Sequence, residues 1–107
     1  MNFNHQHAQK LSIGMPVFNG ELFIEKAIKS ILAQTFTNFE LIISDNGSTD
    51  STKKICGEFL TKDKRIKFFS HEKNLGANWN FNFIINNSLS DKRGKVILIN
   101  NFCKLNA

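Results

Sequence analysis

The chain has 107 residues, of which 41% are hydrophobic and 21% charged, and its formal net charge is +5. This length suits one domain around one hydrophobic core, and the composition is that of a globular rather than a disordered protein. A positive balance favours anionic ligands such as nucleotides or nucleic acids without choosing between them. The sequence has no helix-turn-helix, zinc-finger or RNA-binding sheet pattern, so we expect no nucleic-acid partner.

Cysteines and termini indicate the cellular setting. Cys56 and Cys103 have no Cys-x-x-Cys spacing, which argues against a disulfide scaffold or a zinc site and indicates free thiols in a reducing compartment. Residues 1–10 are polar and predict a disordered tail, where His5 and His7 are part of the tail rather than metal ligands. No segment resembles a signal peptide or a membrane span, so we expect a cytoplasmic protein.

Apolar segments alternate along the chain with segments of helical periodicity, which predicts a parallel sheet with covering helices. Strands are predicted at residues 11–17, 39–44, 66–70 and 96–99, and helices at residues 21–33, 51–60 and 77–87. Asn19 is a candidate cap for the first helix. Trp79 and Phe83 share one face of the third helix, and we expect them in the core rather than on a ligand-stacking surface.

The segment after the second predicted strand is the most informative one. Asp45 ends an apolar run, and Gly47 permits a tight turn. Ser48 or Thr49 can cap the next helix, and Asp50 complements its positive end. Because ligands bind outside the carboxyl ends of parallel strands, this segment indicates either a ligand crevice or a simple solvated turn.

Four motifs, in this order and spacing, resemble the family 2 glycosyltransferases, which are nucleotide-sugar enzymes of the GT-A fold. They are residues 12–19 (SIGMPVFN), 30–35 (SILAQT), 39–50 (FELIISDNGSTD) and 74–76 (NLG). The resemblance implies an α/β, Rossmann-like parallel sheet of about four strands in the order 3-2-1-4, with helices on both faces. Residues 11–100 would form the nucleotide-sugar-binding half of such an enzyme.

The resemblance also implies a nucleotide-sugar donor, expected to be a UDP-sugar, and a saccharide or lipid-linked acceptor in polysaccharide or glycoconjugate synthesis. The implied donor-binding residues are Pro16, Val17, Phe18, Asn19, Asp45, Asn46, Gly47, Gly76 and Asn80. Asp45 would accept a hydrogen bond from uracil, and Gly76 with Asn80 would lie near the phosphates or ribose. Glu21 is left out of this set because it can simply complement the dipole of the first helix.

The carboxyl-terminal segment departs from the family pattern. In the family an Asp-x-Asp motif after the fourth strand holds Mg²⁺ or Mn²⁺ against the donor. Counted from Gly94, this motif would fall on residues 101–104 (NFCK), which offer no carboxylate for a hard cation. The resemblance therefore implies that this chain does not bind the cation and has no catalytic residue of its own.

We accordingly expect a truncated or degenerate, poorly active copy, in which residues 101–107 form an atypical tail. An open sheet edge predicts self-association. A dinucleotide-binding module is disfavoured, because residues 14–19 do not give Gly-x-Gly-x-x-Gly. A non-catalytic nucleotide-binding or protein-interaction remnant stays open as the alternative, and so does whether the chain is an enzyme.

Overall fold

The computed structural model describes residues 11–88 and 96–99. Its elements are β1 (Leu11–Val17), α1 (Ile24–Leu32), β2 (Phe39–Asp45), α2 (Thr52–Leu60), β3 (Ile66–Ser70), α3 (Ala77–Asn86) and β4 (Val96–Leu98). The predictions for residues 1–10 and 101–107 lie outside the described residues.

The four strands form one parallel sheet in the order β3-β2-β1-β4, as the resemblance implies. Val17 pairs with Asp45, and Asp45 pairs with Ser70, so β1, β2 and β3 end at the same level. Backbone hydrogen bonds continue this order one residue further, from the Asn46 amide to the Val17 carbonyl and from the His71 amide to the Asp45 carbonyl. The loops that follow the three strands therefore start side by side.

Helices α1 and α2 cover one face of the sheet and form the main core with it. The apolar side of α1 consists of Ile24, Ile28 and Ile31, which are buried at helical spacing. The other buried members of this core are Ile13, Met15, Val17, Phe39, Leu41, Ile43, Cys56 and Ile66. Burial, together with the charge of Asp45, raises the pKa of the Cys56 thiol to about 12, so Cys56 is a neutral core residue.

Helix α3 covers the opposite face, because successive strand residues point to opposite sides of a sheet. Gly14 lies between the core residues Ile13 and Met15, and a Cβ placed on it would come within 2.5 Å of the Ile84 Cγ2. The missing side chain thus lets α3 approach β1 closely. Helices on both faces of the sheet are confirmed.

Two local predictions are wrong. The first helix begins at Ile24, after a Phe23 N-cap without a side-chain hydrogen bond, so Asn19 does not cap it. Trp79 is 40% exposed and lies at the surface instead of in the core, while Phe83 is half-buried. Within the described part of the chain, none of the helices has the length and apolarity that crossing a membrane requires.

Candidate functional site

The loops after β1, β2 and β3 meet at one end of the sheet, and we call this region the carboxyl edge. It comprises residues 16–21, 45–52 and 71–76, together with the first turn of α3. Each loop is joined to its neighbour by side-chain hydrogen bonds, and these bonds define the region.

The turn after β2 is built on Asp45, whose side chain is 0% exposed. Its carboxylate accepts a 3.1 Å hydrogen bond from the Ser48 amide and a second one from the Ser48 hydroxyl. Gly47 adopts a φ of 84°, as a tight turn at this position requires. Each oxygen of Asp45 therefore accepts a hydrogen bond inside the turn and retains a further lone pair.

Asn19 ties the loop after β1 to this turn. Its amide donates to the Ser48 Oγ at 2.7 Å, and its side-chain Oδ1 accepts from the Thr49 amide at 2.8 Å. A left-handed φ of 51° gives Asn19 this double role. Ser48 and Thr49 thus join loops and do not cap α2, which contradicts their predicted capping role.

Two acidic residues complete the same junction. The Glu21 amide donates to the Asp50 Oδ2 at 3.2 Å, and the Ser51 amide donates to the Glu21 Oε1 at 2.9 Å. Glu21 precedes α1 and bridges two loops, so its assignment to the dipole of the first helix is wrong. Burial tends to raise the pKa of Asp50, but hydrogen bonds from the hydroxyl and amide of Thr52 and the amide of Glu21 hold it below its usual value.

Asn46 connects the turn after β2 to the loop after β3. Its Nδ2 donates to the Asn74 Oδ1 at 3.0 Å and to the Gly76 carbonyl at 3.2 Å, and its Oδ1 accepts from the Leu75 amide at 2.9 Å. Gly76 adopts a φ of 98° at the start of α3. The Asn-Leu-Gly motif is therefore held in place by the predicted site residue Asn46.

A polar cluster of Ser44, His71 and Asn80 lies beneath this loop. The Ser44 Oγ donates to the Asn80 Oδ1 at 2.6 Å, and the Asn80 Nδ2 donates to the Ser44 carbonyl at 3.0 Å. The His71 Nε2 lies 2.8 Å from the Ser44 Oγ. Burial lowers the pKa of His71, although the charge of Asp45 opposes this effect.

Three rings pack together next to this cluster. The His71 ring meets Trp79 and Phe83 edge-on, with centroid distances of 4.8 and 4.6 Å. Trp79 and Phe83 stack with an angle of 19° between their planes. The exposed indole therefore places an apolar surface beside the imidazole.

The structure places the predicted donor-binding residues at the carboxyl edge and joins most of them through hydrogen bonds. Pro16 and Val17 are buried at the end of β1, whereas the next residue, Phe18, is exposed. Their role in binding a nucleotide stays a prediction. His71 was missed by sequence reasoning, and the available signal was its position one residue after a predicted strand.

The described residues contain no group of three or more His, Cys, Asp or Glu side chains arranged to hold a metal ion. Residues 101–104, where the acidic motif is expected, lie outside the described residues.

Comparison with known proteins identifies the family. Residues 12–100 match the model of glycosyl transferase family 2. The chain belongs to this family. The resemblance inferred from the four motifs is thereby confirmed.

Relatives of similar sequence and solved structures of similar fold agree with this assignment. A GalNAc(5)-diNAcBac-PP-undecaprenol beta-1,3-glucosyltransferase from Campylobacter jejuni is 39% identical over 89 residues, which are 82% of this chain and 28% of the relative. A crystal structure of S. aureus TarS in complex with UDP has a TM-score of 0.70 and 25% identity, over 87% of this chain and 27% of that one.

A third comparison shows likeness of fold alone. Glucosyl-3-phosphoglycerate synthase from Mycobacterium tuberculosis, solved with Mn²⁺, UDP and glucosyl-3-phosphoglycerate, has a TM-score of 0.62 at 21% identity, over 92% of this chain and 35% of that one. The chain thus spans about a third or less of the length of these proteins.

Proposed function

We propose that this chain supplies the donor-binding part of a family 2 glycosyltransferase. Its ligand is a nucleotide-sugar, expected to be a UDP-sugar. The whole enzyme transfers the sugar to a saccharide or lipid-linked acceptor in polysaccharide or glycoconjugate synthesis. The single observation that carries the proposal is the hydrogen-bonded carboxyl edge of a chain that belongs to this family.

The arrangement of the loops supports binding of a nucleotide. Asn19, Ser48 and Asn46 hold the three loops in fixed positions, so little conformational freedom is lost when a ligand binds. The structurally similar TarS was solved with UDP, which supports a uridine nucleotide as the first ligand to test. The surface of Phe18 and the turn at Gly47 are the expected contacts.

Sugar transfer itself is assigned to the part of such an enzyme that this chain does not match. We propose that the chain on its own binds the donor without efficient transfer. The cytoplasm is the expected location, where nucleotide-sugars are made.

A titration of the ¹⁵N-labelled chain with UDP, followed by NMR, tests the proposal. We expect selective changes in the amide signals of Asn19, Asn46, Gly47 and Gly76. The expected Kd is on the order of 1 mM, or about −4 kcal/mol. NAD at the same concentration is the ligand control and should leave these signals in place.

A variant pair makes the same titration specific for Asp45. Asp45→Asn should weaken UDP binding roughly 10-fold or more, since a hydrogen bond to a charged group contributes about 1.5–3 kcal/mol. Glu58→Gln is the control, because Glu58 is exposed on α2 and has only a 3.9 Å ion pair with Lys54. Unchanged UDP-induced shifts in folded Asp45→Asn would show that the site is assigned wrongly.

A further inference from the structure

Ser48 lies between Asn19 and Asp45, two of the predicted donor-binding residues. It is 5% exposed, and its hydroxyl is hydrogen-bonded to both of them. Its predicted role was only to cap the second helix, and that helix begins later, after Ser51. The hydroxyl at this position therefore needs another explanation.

The direction of each hydrogen bond at the Ser48 hydroxyl follows from its chemistry. The Asn19 backbone N–H can only donate, so the Ser48 Oγ accepts from it at 2.7 Å. The carboxylate of Asp45 can only accept, so Ser48 donates its one hydroxyl hydrogen to the Asp45 Oδ1. A chain of hydrogen bonds thus runs in one direction, from the Asn19 amide through the Ser48 hydroxyl to Asp45.

The backbone of Ser48 holds the other oxygen of the same carboxylate. Its amide donates to the Asp45 Oδ2 at 3.1 Å. The χ2 torsion of an aspartate is broad, so one hydrogen bond would leave the carboxylate plane free to turn. Two bonds to different oxygens fix this plane, and Ser48 thereby sets the direction of the remaining lone pairs.

The other end of the hydrogen-bond chain is anchored as well. The Asn19 Oδ1 accepts from the Thr49 amide at 2.8 Å, and the φ of Asn19 is 51°. The amide that donates to Ser48 is therefore held by a second contact between the same two loops. The loop after β1 and the carboxylate of Asp45 have one fixed relation to each other.

A fixed carboxylate direction matters for the choice between pyrimidine bases. Uracil carries a hydrogen on N3 and can donate it to a carboxylate, whereas N3 of cytosine is itself an acceptor. Hydrogen bonds weaken steeply as their angle departs from linearity, so a carboxylate that turns freely gives a weaker bond to uracil. Its preference for uracil over cytosine then falls.

We propose that Ser48 is a positioning residue for base selection. It orients the carboxylate of Asp45 so that the donor site favours a uracil nucleotide over a cytosine nucleotide. This inference rests on the proposed function, in which Asp45 accepts from the base. Ser48 acts through Asp45, because both its amide hydrogen and its hydroxyl hydrogen are directed at that carboxylate.

A comparison of UDP and CDP binding by NMR titration tests the inference. Wild type should bind UDP about 10-fold more tightly than CDP, the value for a hydrogen bond of about 1.5 kcal/mol to a charged group. Ser48→Ala should reduce this preference about 5-fold, which corresponds to one hydrogen bond of about 1 kcal/mol. A purely structural loss would weaken UDP and CDP by the same factor, so the ratio isolates the positioning role.

Two further variants complete the comparison. Ser48→Thr retains the hydroxyl and should keep the preference of wild type. Ser30→Ala is the matched control, because Ser30 is exposed on α1 and its hydroxyl donates to the Ala27 carbonyl of the same helix. An unchanged UDP preference in Ser48→Ala, or a preference in Ser48→Thr as low as in Ser48→Ala, would overturn the role of Ser48.

The native chain provides an independent measurement if Ser48→Ala does not fold. The Ser48 hydroxyl hydrogen should exchange slowly enough to give its own ¹H signal, with a nuclear Overhauser effect to the Asn19 amide hydrogen, and its absence would overturn the inference. Failure of wild type to bind UDP would overturn the proposed function and this inference with it. A UDP preference that is lost in Asp45→Asn but persists in Ser48→Ala would overturn the inference alone.

Discussion

Gly47 is the position at the carboxyl edge where one added methyl group should be most costly. Its φ of 84° is a conformation that costs an alanine about 1–2 kcal/mol. A Cβ would also lie 2.5 Å from the Lys73 carbonyl carbon and 2.7 Å from the Asn74 nitrogen. These are backbone atoms and cannot rotate aside, so the loop must shift at a further cost of about 1–3 kcal/mol. Gly47→Ala should therefore destabilise the fold by about 2–5 kcal/mol in total.

Two other glycines separate these contributions. Gly76 also has a positive φ, of 98°, but a Cβ there meets nothing within 4 Å, so Gly76→Ala should cost only the backbone strain of about 1–3 kcal/mol. Gly57 lies inside α2 with open space around it. Gly57→Ala should stabilise the fold by about 0.5–1 kcal/mol, because alanine favours the helix. The same substitution thus has three different expected results.

Urea denaturation at neutral pH measures all three free energies of unfolding under identical conditions. The expected order, from the most to the least stable protein, is Gly57→Ala, wild type, Gly76→Ala and Gly47→Ala. Domains of this size are stable by about 5–15 kcal/mol, so the loss at Gly47 is well within the measurable range. Equal stability of Gly47→Ala and Gly76→Ala would refute the argument that the loops after β2 and β3 touch at Gly47.

Three further predictions concern pH, a cation and the sheet edge. Burial lowers the pKa of His71 from its ordinary value of 6.5, and the charge of Asp45 opposes this effect. In mildly acidic solution the unfolded chain therefore binds more protons than the folded chain. Stability should be full above about pH 6.5 and fall as the pH drops below it, and His71→Gln should remove this dependence in pH-resolved urea titrations. Arg65 contacts the Asp63 carboxylate through two nitrogens at 2.9 and 3.0 Å, so Arg65→Lys should lower the midpoint of thermal unfolding by removing a paired contact, and an unchanged midpoint would contradict this. Ile97 is 50% exposed on the edge strand β4, so Ile97→Lys should shift sedimentation profiles towards the monomer, and identical profiles would argue against self-association through this edge.

The sheet is the part of the structure that the sequence predicts best. The bounds of β1 and β3 agree with the apolar runs, and β2 extends only one residue further, to Asp45. The strand order came from the resemblance, because periodicity does not show which strands lie next to each other in the sheet. The start of α1 was less accurate, at Ile24 instead of residue 21, because Asn19, Gly20 and Glu21 use their backbone amides for contacts with residues 48–52 instead of a helix.

Surface and site details were beyond local sequence reasoning. Helical spacing put Trp79 and Phe83 on one face but could not show that the indole lies at the surface. The motifs indicated Asp45 and Asn46, yet the side-chain hydrogen bonds of Asn46 depend on residues about 30 positions away, such as Leu75. His71 belongs to no motif, and its orientation follows only from the assembled cluster with Ser44.

The junction between the loops after β1 and β2 has a consequence for hydrogen exchange. The amides of Asn19, Gly20 and Thr49 donate to side chains across the junction, to Ser48, Thr52 and Asn19 respectively. Protection of such amides ends when the cooperative unit that contains their acceptors opens. These loop amides should therefore exchange with a common free energy of opening, similar to that of strand amides, although loops usually exchange fast. The junction would then open cooperatively, and a ligand that slows hydrogen exchange at one of these amides would slow it at all three.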